Sequence, residues 1–303
     1  MSELRFDGRV AVVTGAGRGI GRAYASLLAS LGARVVVNDL GGSMDGSGSD
    51  GGPAASVASE ITTAGGFAVA DANDVSSVDG AAGLVGGAVE RWGRIDVLIN
   101  NAGIIRWAGM PEVDAANLDA HWAVHVAGSF NTTRASWPHM VSQGYGRIVM
   151  TTSSGVFGLP ANTSYATAKG GVIGLARSLA VAGRKHGIKV NLIAPAATTR
   201  MAGPGPATEM PAGLVAPMAA YLAHEDCPVS GEIYTAGAGR FARLIIASTP
   251  GWVAPGAAKS PATIEDVAAH WDAINKEGGY TVPADLMSWS AAFLSHLSHQ
   301  DQG

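Results

Sequence analysis

The chain has 303 residues, a formal net charge of −4 and a single cysteine, Cys227. This length can bury a large core as one α/β domain, although it would also permit two. The negative charge offers no electrostatic footprint for nucleic acid, and one cysteine excludes an intramolecular disulfide and a thiolate metal cluster. No run approaches the roughly 18 apolar residues of a membrane span, and no secretory leader is evident. We therefore expect no nucleic-acid or membrane partner and a cytoplasmic location.

The first predicted elements are a buried strand, a glycine-rich turn and a helix. Residues 10–13 form a short apolar run, and residues 22–29 have the pattern of a helix. The turn between them reads Thr-Gly-Ala-Gly-Arg-Gly-Ile-Gly over residues 14–21. Glycines at such a crossing let backbone amides approach a pyrophosphate, and the helix N-terminus adds partial positive charge; the alternative is a turn that binds nothing. The predicted dinucleotide-binding residues here are Gly15, Arg18, Gly19, Ile20 and Gly21.

The next predicted strand, residues 34–39, ends in an acidic residue that bears on the choice of nucleotide. A carboxylate at Asp39 can accept hydrogen bonds from the adenosine ribose hydroxyls and would repel a 2′-phosphate, which favours NAD over NADP. Arg18 points weakly the other way, since a basic side chain beside the turn can meet a phosphate. Asp39 decides the prediction for NAD. Residues 41–52, rich in Gly, Ser and Asp, predict a mobile loop beside the adenosine, with a binding role as the alternative.

Strand-like and helix-like segments alternate through the rest of the chain. The later apolar runs end near Ala70, Asn100, Thr151 and Ala194. This order predicts an α/β fold with a doubly wound parallel sheet of the Rossmann type, whose ligand crevice lies beyond the carboxyl ends of the strands. We expect a dinucleotide-binding and catalytic domain over residues 1–245 and a C-terminal helical extension over residues 246–303, packed on the same domain. The capped helix in this extension could cover a substrate site, mediate oligomer contacts or pack on the core.

Tyr165 and Lys169 lie four residues apart on a predicted helix, so they share one face of it. A free phenol has a pKa of about 10, too high for a base at neutral pH, and nearby positive charge from Lys169 and an oxidised nicotinamide would lower it. Tyr165 could then take a hydroxyl proton while hydride leaves for NAD. The alternative is an exposed Tyr and Lys pair on a helix surface.

These motifs together resemble the short-chain dehydrogenases/reductases. The resemblance rests on the glycine turn, on Asn-Asn-Ala-Gly at residues 100–103 and on Tyr165 with Lys169. Phrases at residues 21–24, 37–42, 145–150 and 237–239 resemble the dehydrogenase part of the multifunctional β-oxidation enzymes, over about residues 6–244. This likeness implies NAD-dependent conversion of (3R)-hydroxyacyl-CoA to 3-oxoacyl-CoA. A hydroxysteroid or other secondary alcohol is the alternative substrate, and a non-catalytic NAD-binding module is the alternative class.

The resemblance implies further dinucleotide contacts after the third, fourth and sixth strands: Asp74, Val75, Asn101, Ala102, Gly103 and Pro195. The first two would hold the adenine. The next three would run beside the ribose and nicotinamide, and they could also be a tight turn that orders the sheet. The proline would lie next to the nicotinamide carboxamide.

Two positions depart from the family pattern. The family serine that bonds the substrate oxygen falls on Thr152 when counted back from Tyr165, and on Ser153 when counted forward from the preceding strand. We choose Ser153 because the strand fixes the local register, with Thr152 as the alternative. Where most members have Asn, this chain and the multifunctional branch have His125, which could relay protons through water to Lys169 or be structural.

The predicted lid follows the sixth strand. Residues 196–206 change from polar to Pro- and Gly-rich, and Arg200 within them could meet a phosphate of coenzyme A or lie in solvent. The histidines, including His296 and His299, have no convincing metal-site partners, so we predict no metal. The resemblance implies a small-molecule substrate, an acyl-CoA, and a homodimer or homotetramer.

Overall fold

The computed structural model describes residues 3–202, 210–256 and 260–297, and the chain forms two compact units, Met1–Arg243 and Leu244–Gly303. The described residues form eight strands: β1 (Val10–Thr14), β2 (Arg34–Asn38), β3 (Phe67–Asp71), β4 (Val97–Asn100), β5 (Gly146–Thr151), β6 (Ile188–Pro195), β7 (Ile233–Gly237) and β8 (Arg240–Leu244). They also form ten α-helices: α1 (Gly19–Ser30), α2 (Gly52–Thr63), α3 (Val78–Trp92), α4 (Ala115–His121), α5 (Gly128–Gln143), α6 (Thr163–Gly183), α7 (Ala216–Ala223), α8 (Ile264–Ala269), α9 (Trp271–Ile274) and α10 (Leu286–Phe293).

One sheet joins the strands in the order β3-β2-β1-β4-β5-β6-β7-β8. The pairs from β3 through β7 are parallel. The chain builds outward from β1 to β3 and then returns to the other side of β1 with β4, so the direction of winding switches between β1 and β4. The predicted doubly wound parallel sheet is confirmed, and a ligand crevice is expected at this switch point.

The last strand reverses direction. β7 and β8 are joined by Ala238 and Gly239, whose φ angles of +49° and +76° form a tight two-residue turn. A connection this short can join only antiparallel strands, because parallel neighbours need a crossover of a dozen or more residues.

Helices cover both faces of the sheet, as a parallel sheet requires. β1, β4 and β5 are buried along their whole length, which explains their nearly continuous apolar sequences. On one face, alternate strand residues such as Val13, Val37 and Ile99 pack with α1, α2 and α7 in one apolar cluster. The core therefore fixes the carboxyl ends of the central strands, where the predicted site residues lie.

The second unit has little interior of its own. No described residue of Leu244–Gly303 is buried. The predicted capped helix begins at Thr263, whose side chain caps Asp266 N at 3.1 Å, but it breaks at His270 and resumes as α9. The ring of His270 stacks on Trp252 with 3.9 Å between centroids.

Candidate active site

A cleft of about 410 Å³ lies at the carboxyl ends of the first four strands. It is lined by eleven of the predicted dinucleotide-binding residues: Gly15, Arg18, Gly19, Ile20, Gly21, Asp39, Asp74, Val75, Asn101, Ala102 and Gly103. The other predicted site residues, Ser153, Tyr165, Lys169 and Pro195, are outside its lining. The structure thus brings together residues that are up to 88 positions apart in the sequence.

The glycine turn is built so tightly that two of its glycines cannot be replaced. A Cβ on Gly15, which has a φ of +63°, would lie 2.8 Å from the Cα of Ala102. A Cβ on Gly21 would lie 2.1 Å from the carbonyl oxygen of Gly15. Within the described structure no side chain caps the N-terminus of α1, so its first-turn amides can donate hydrogen bonds to a pyrophosphate. The turn therefore fits a dinucleotide.

Asn101 and Thr14 clamp the glycine turn to β4. The Asn101 side chain donates to the carbonyl oxygens of Thr14 and Gly15 at 3.0 and 3.1 Å. The Thr14 hydroxyl accepts the backbone amides of Asn101 and Ala102, each at 3.0 Å. The side chain of Asn101 thus orders the turn, and Thr14 is a site residue that sequence reasoning passed over although it begins the motif.

Asp39 is held in place by the backbone on both sides of its carboxylate. Its Oδ2 accepts Gly17 N at 2.8 Å, and its Oδ1 accepts Gly41 N at 2.7 Å. A carboxylate can accept about four hydrogen bonds, so these two leave Asp39 able to accept ribose hydroxyls as well. Arg18 donates weakly to Gly42 O at 3.4 Å.

Asp74 forms a local turn at the far side of the cleft. Its Oδ1 accepts both the backbone amide and the hydroxyl of Ser76, at 2.9 and 2.8 Å. Val75, the next residue, is buried and lines the same cleft.

Tyr165 and Lys169 lie together on the first half of α6. The ammonium of Lys169 lies 5.5 Å from the centroid of the Tyr165 ring and donates to Thr151 O at 2.7 Å. Burial lowers the pKa of Lys169 to about 7. Burial also raises the pKa of Tyr165, and a hydrogen bond with the Ser153 side chain acts in the opposite direction. In the free protein both groups are therefore held toward their neutral forms by desolvation.

The two candidate catalytic hydroxyls, on Thr152 and Ser153, have different hydrogen-bond partners. Thr152 is buried, and its hydroxyl donates to the backbone oxygen of Lys169 at 2.9 Å. Ser153 is partly exposed, bonds the Tyr165 side chain and accepts Gly155 N at 3.0 Å. The geometry thus places Ser153, rather than Thr152, beside the proton-transfer group. Its catalytic role stays a prediction.

Two buried histidines contact the Tyr165 ring. His125 lies in a π-helical turn, Trp122–Ala127, between α4 and α5, and His121 ends α4. Their rings stack on each other with centroids 5.9 Å apart, and each meets the Tyr165 ring edge-on, at 6.2 Å from His121 and 5.4 Å from His125. Sequence reasoning missed His121, although its spacing of four residues from His125 on a helix was a usable signal.

The same histidines hold the loop that follows β4. His121 Nε2 accepts Arg106 N at 3.2 Å, and His125 Nε2 lies 3.3 Å from Ile104 N and 2.9 Å from Ile104 O. A Cβ on Gly103 would lie 2.5 Å from the His125 ring, so glycine is required there for packing. Burial lowers the pKa of His125 well below its ordinary value, and the neighbouring charge of Lys169 adds to this. His125 Nδ1 has no hydrogen-bond partner among the described residues.

The segment after β6 is described only in part. Thr199, Arg200 and Met201 line the cleft, and residues 203–206 of the predicted lid lie outside the described residues, as does His299. Within the described ranges no group of three or more His, Cys, Asp or Glu side chains could hold a metal ion. No helix there is long and apolar enough to cross a membrane.

Comparison with known proteins agrees with this geometry. The family model for the short chain dehydrogenase matches residues 9–208. The mouse peroxisomal multifunctional enzyme type 2 is 43% identical over 309 residues, which is 99% of this chain and 41% of that protein. The chain thus spans less than half the length of this relative and of its Drosophila melanogaster counterpart, of which it covers 45%.

Two solved structures extend the comparison. The full-length Drosophila melanogaster enzyme has a TM-score of 0.82 and 36% identity, covering 99% of this chain and 51% of that one. A 7α-hydroxysteroid dehydrogenase complexed with NADH and 7-oxo glycochenodeoxycholic acid has a TM-score of 0.71 and 30% identity. The match covers 79% of this chain and 98% of that one. As its motifs predicted, the chain belongs to the short chain dehydrogenase family and is an oxidoreductase that uses a nicotinamide dinucleotide.

Proposed function

We propose that the chain is an NAD-dependent dehydrogenase that interconverts a 3-hydroxyacyl-CoA and a 3-oxoacyl-CoA. The reaction type is inferred from one observation: Ser153 and Lys169 both lie beside the phenol ring of Tyr165. The substrate class is supported by the 43% identity to a multifunctional enzyme, whose family resemblance the sequence motifs already indicated.

The side chains divide the work of alcohol oxidation. Tyr165 takes the proton of the substrate hydroxyl, and Ser153 donates a hydrogen bond to the same oxygen. The Lys169 ammonium, when protonated, stabilises the phenolate of Tyr165. A bound oxidised nicotinamide would accept the hydride from the substrate carbon. In the reverse direction, Tyr165 returns the proton to the oxygen, with Ser153 and Lys169 in the same places.

The preference for NAD rests on Asp39. Its carboxylate lines the cleft and is fixed by Gly17 N and Gly41 N, so a 2′-phosphate would meet an anion that cannot turn away. We expect Asp39→Ser to lower the ratio of kcat/KM for NAD to kcat/KM for NADP at least tenfold. An unchanged ratio would contradict the proposal.

A hydroxysteroid is the second candidate substrate. It is favoured by one observation, the TM-score of 0.71 to a structure with a bile-acid derivative. A non-catalytic NAD-binding role is the third possibility, and the paired Tyr165 and Lys169 argue against it.

NADH formation on a small panel separates these functions. The panel contains (3R)- and (3S)-hydroxyacyl-CoA of several chain lengths and a hydroxysteroid, each with NAD and with NADP. We expect turnover of one CoA stereoisomer. Turnover of the steroid alone would move the assignment to the second candidate. If no substrate gives NADH although NAD still binds, the non-catalytic binding module would be favoured.

The location stays a prediction. The expectation of a cytoplasmic enzyme rests on cysteine content, whereas the matched multifunctional relatives are named as peroxisomal. Fractionation of the native source would decide between these compartments.

A further inference from the structure

The segment between β2 and α2 is a compact structure at the edge of the dinucleotide cleft. We call residues 40–50 the strap. A backbone hydrogen bond from Asp50 N to Leu40 O at 2.8 Å closes its base, and one from Ser43 N to Ser47 O at 2.8 Å closes its tip. Five strap residues line the cleft: Leu40, Gly42, Ser43, Met44 and Gly46. The sequence-based expectation of a mobile loop did not anticipate this hydrogen-bonded form.

The tip of the strap is fastened to the loop that follows β4. Ile105 N donates to Met44 O at 2.8 Å, and Arg106 Nε donates to Asp45 O at 2.6 Å. β1 lies between β2 and β4 in the sheet. The strap therefore spans the carboxyl end of β1, which is the switch point where a dinucleotide would lie.

The strap has fewer buried contacts than the loop after β4 to which it is bonded. Strap residues 43–50 are exposed, and Gly41 at the hinge has a φ of +80°. On the other side, the backbone amide of Arg106 donates to the buried His121, and the ring of that histidine packs on Tyr165. A segment with few buried contacts opens more easily than one tied to the core, so the strap is the moving side.

We propose that the strap closes over the bound dinucleotide and that Arg106 is the positioning residue that fastens it. The inference rests on the nicotinamide dinucleotide of the proposed function. Because the strap spans the crevice, the contacts of Met44 and Asp45 must break for the dinucleotide to leave. Asp39, which also bonds Gly41 N, links the ribose end of the site to the hinge. The fastening therefore slows release of the cofactor.

Stopped-flow measurement of NADH release tests the fastening directly. The probe is NADH bound to the 303-residue chain. Excess NAD displaces it, and the fluorescence of NADH reports its release. Arg106→Ala should raise the dissociation rate about tenfold, the effect of losing one hydrogen bond from a charged donor. Arg34→Ala is the matched control, because it removes an exposed arginine at the start of β2, the opposite end of that strand from the cleft. We expect its dissociation rate to stay within twofold of wild type.

Hydrogen exchange distinguishes a lost fastening from a damaged fold. In wild type, NADH should slow exchange in both the strap and the glycine turn of residues 15–21. In Arg106→Ala the protection of the strap should be lost and that of the turn kept. Equal dissociation rates in wild type and Arg106→Ala would overturn the inference, as would loss of protection across the central strands. Failure of wild type to bind NADH would instead overturn the cofactor assignment, and the inference with it. Failure on acyl-CoA substrates would leave these measurements intact.

Discussion

At the residue scale, the neighbouring hydroxyls of Thr152 and Ser153 have different partners. Thr152 donates to the backbone of Lys169 from a buried position, so its hydroxyl stabilises α6 against β5. Ser153, which is partly exposed and lies two residues beyond the end of β5, forms a hydrogen bond with the Tyr165 side chain. A one-residue step along an extended chain turns the side chain to the opposite face, which is why the two have different partners.

This division predicts opposite phenotypes for two matched variants. Ser153→Ala should lower kcat/KM about a hundredfold, because it removes a donor to the reacting oxygen. Thr152→Val should cost about 1 kcal/mol of unfolding free energy through the lost hydrogen bond and change kcat/KM only a few-fold. Steady-state kinetics and urea unfolding on both variants check this. A larger kinetic loss in Thr152→Val than in Ser153→Ala would assign the catalytic hydroxyl to residue 152.

Buried Lys169 makes stability depend on pH. Its pKa falls from 10.5 to about 7 on burial, so between these values the unfolded chain binds a proton that the folded chain does not. The free energy of unfolding contributed by this group therefore rises as pH increases from about 7 to 10.5 and is lost as pH falls again. The slope approaches about 1.4 kcal/mol per pH unit for one proton.

Lys169→Met should remove this slope, since methionine has no proton to bind. Urea unfolding of the cofactor-free protein at pH 7, 8 and 9 measures it in both forms. Parallel stability profiles for wild type and Lys169→Met would show that the lysine titrates normally in the folded protein.

Some residues of the candidate site could be predicted from the sequence, and others could not. The turn glycines and Asp39 were predictable, because backbone conformation and charge at a strand end follow from local pattern. The clamp by Thr14 and Asn101 and the role of His121 were not. The clamp joins β1 to the loop after β4, which only the folded sheet brings together. The four-residue spacing of His121 and His125 indicates one helix face, but it does not show that this face meets Tyr165.

At the element scale, the helical segment from α4 to α5 packs against Tyr165. The π-helical turn Trp122–Ala127 interrupts it and places His125 against Gly103, while His121 holds the loop after β4 one turn earlier. Inserted π-helical turns are frequent at functional sites. His121 and His125 each contact the Tyr165 ring, and each also bonds the backbone of the loop after β4. They thus connect that loop with Tyr165.

His121→Ala should therefore affect catalysis as well as stability. It removes the acceptor for Arg106 N and one ring beside Tyr165, so we expect kcat to fall about tenfold and unfolding free energy to fall by about 1–3 kcal/mol. His139→Ala, on α5, is the matched control and should change kcat less than twofold. Burial lowers the pKa of His121, which keeps Nε2 free to accept at neutral pH. Unchanged kcat in His121→Ala would contradict the positioning role.

The strands and helices themselves were predictable where their patterns were strong. The predicted strand ends near Asn100, Thr151 and Ala194 lie within one residue of the ends of β4, β5 and β6. The strap was predicted only as a mobile loop, because its hydrogen bonds to Ile105 and Arg106 depend on the separation of β2 and β4 in the sheet.

At the scale of the whole molecule, the exposed apolar side chains of Leu244–Gly303 favour an oligomer. No described residue of this unit is buried, and six large apolar side chains are more than half exposed: Ile264, Trp271, Tyr280, Leu286, Met287 and Phe293. Apolar patches of this kind mark interaction surfaces. We propose a homodimer or homotetramer and expect light scattering to give at least twice the 30.6 kDa of one chain. A monomer at micromolar concentration would contradict this.

We propose that Tyr165 transfers the substrate proton beside a bound nicotinamide dinucleotide. Single-turnover NADH formation from a (3R)-hydroxyacyl-CoA by wild type and Tyr165→Phe, with NADH affinity measured on both proteins, tests this role. We expect the variant to bind NADH as wild type does and to form it at least a hundredfold more slowly, which is within the range of general acid–base catalysis. Comparable single-turnover rates in the two proteins would contradict it.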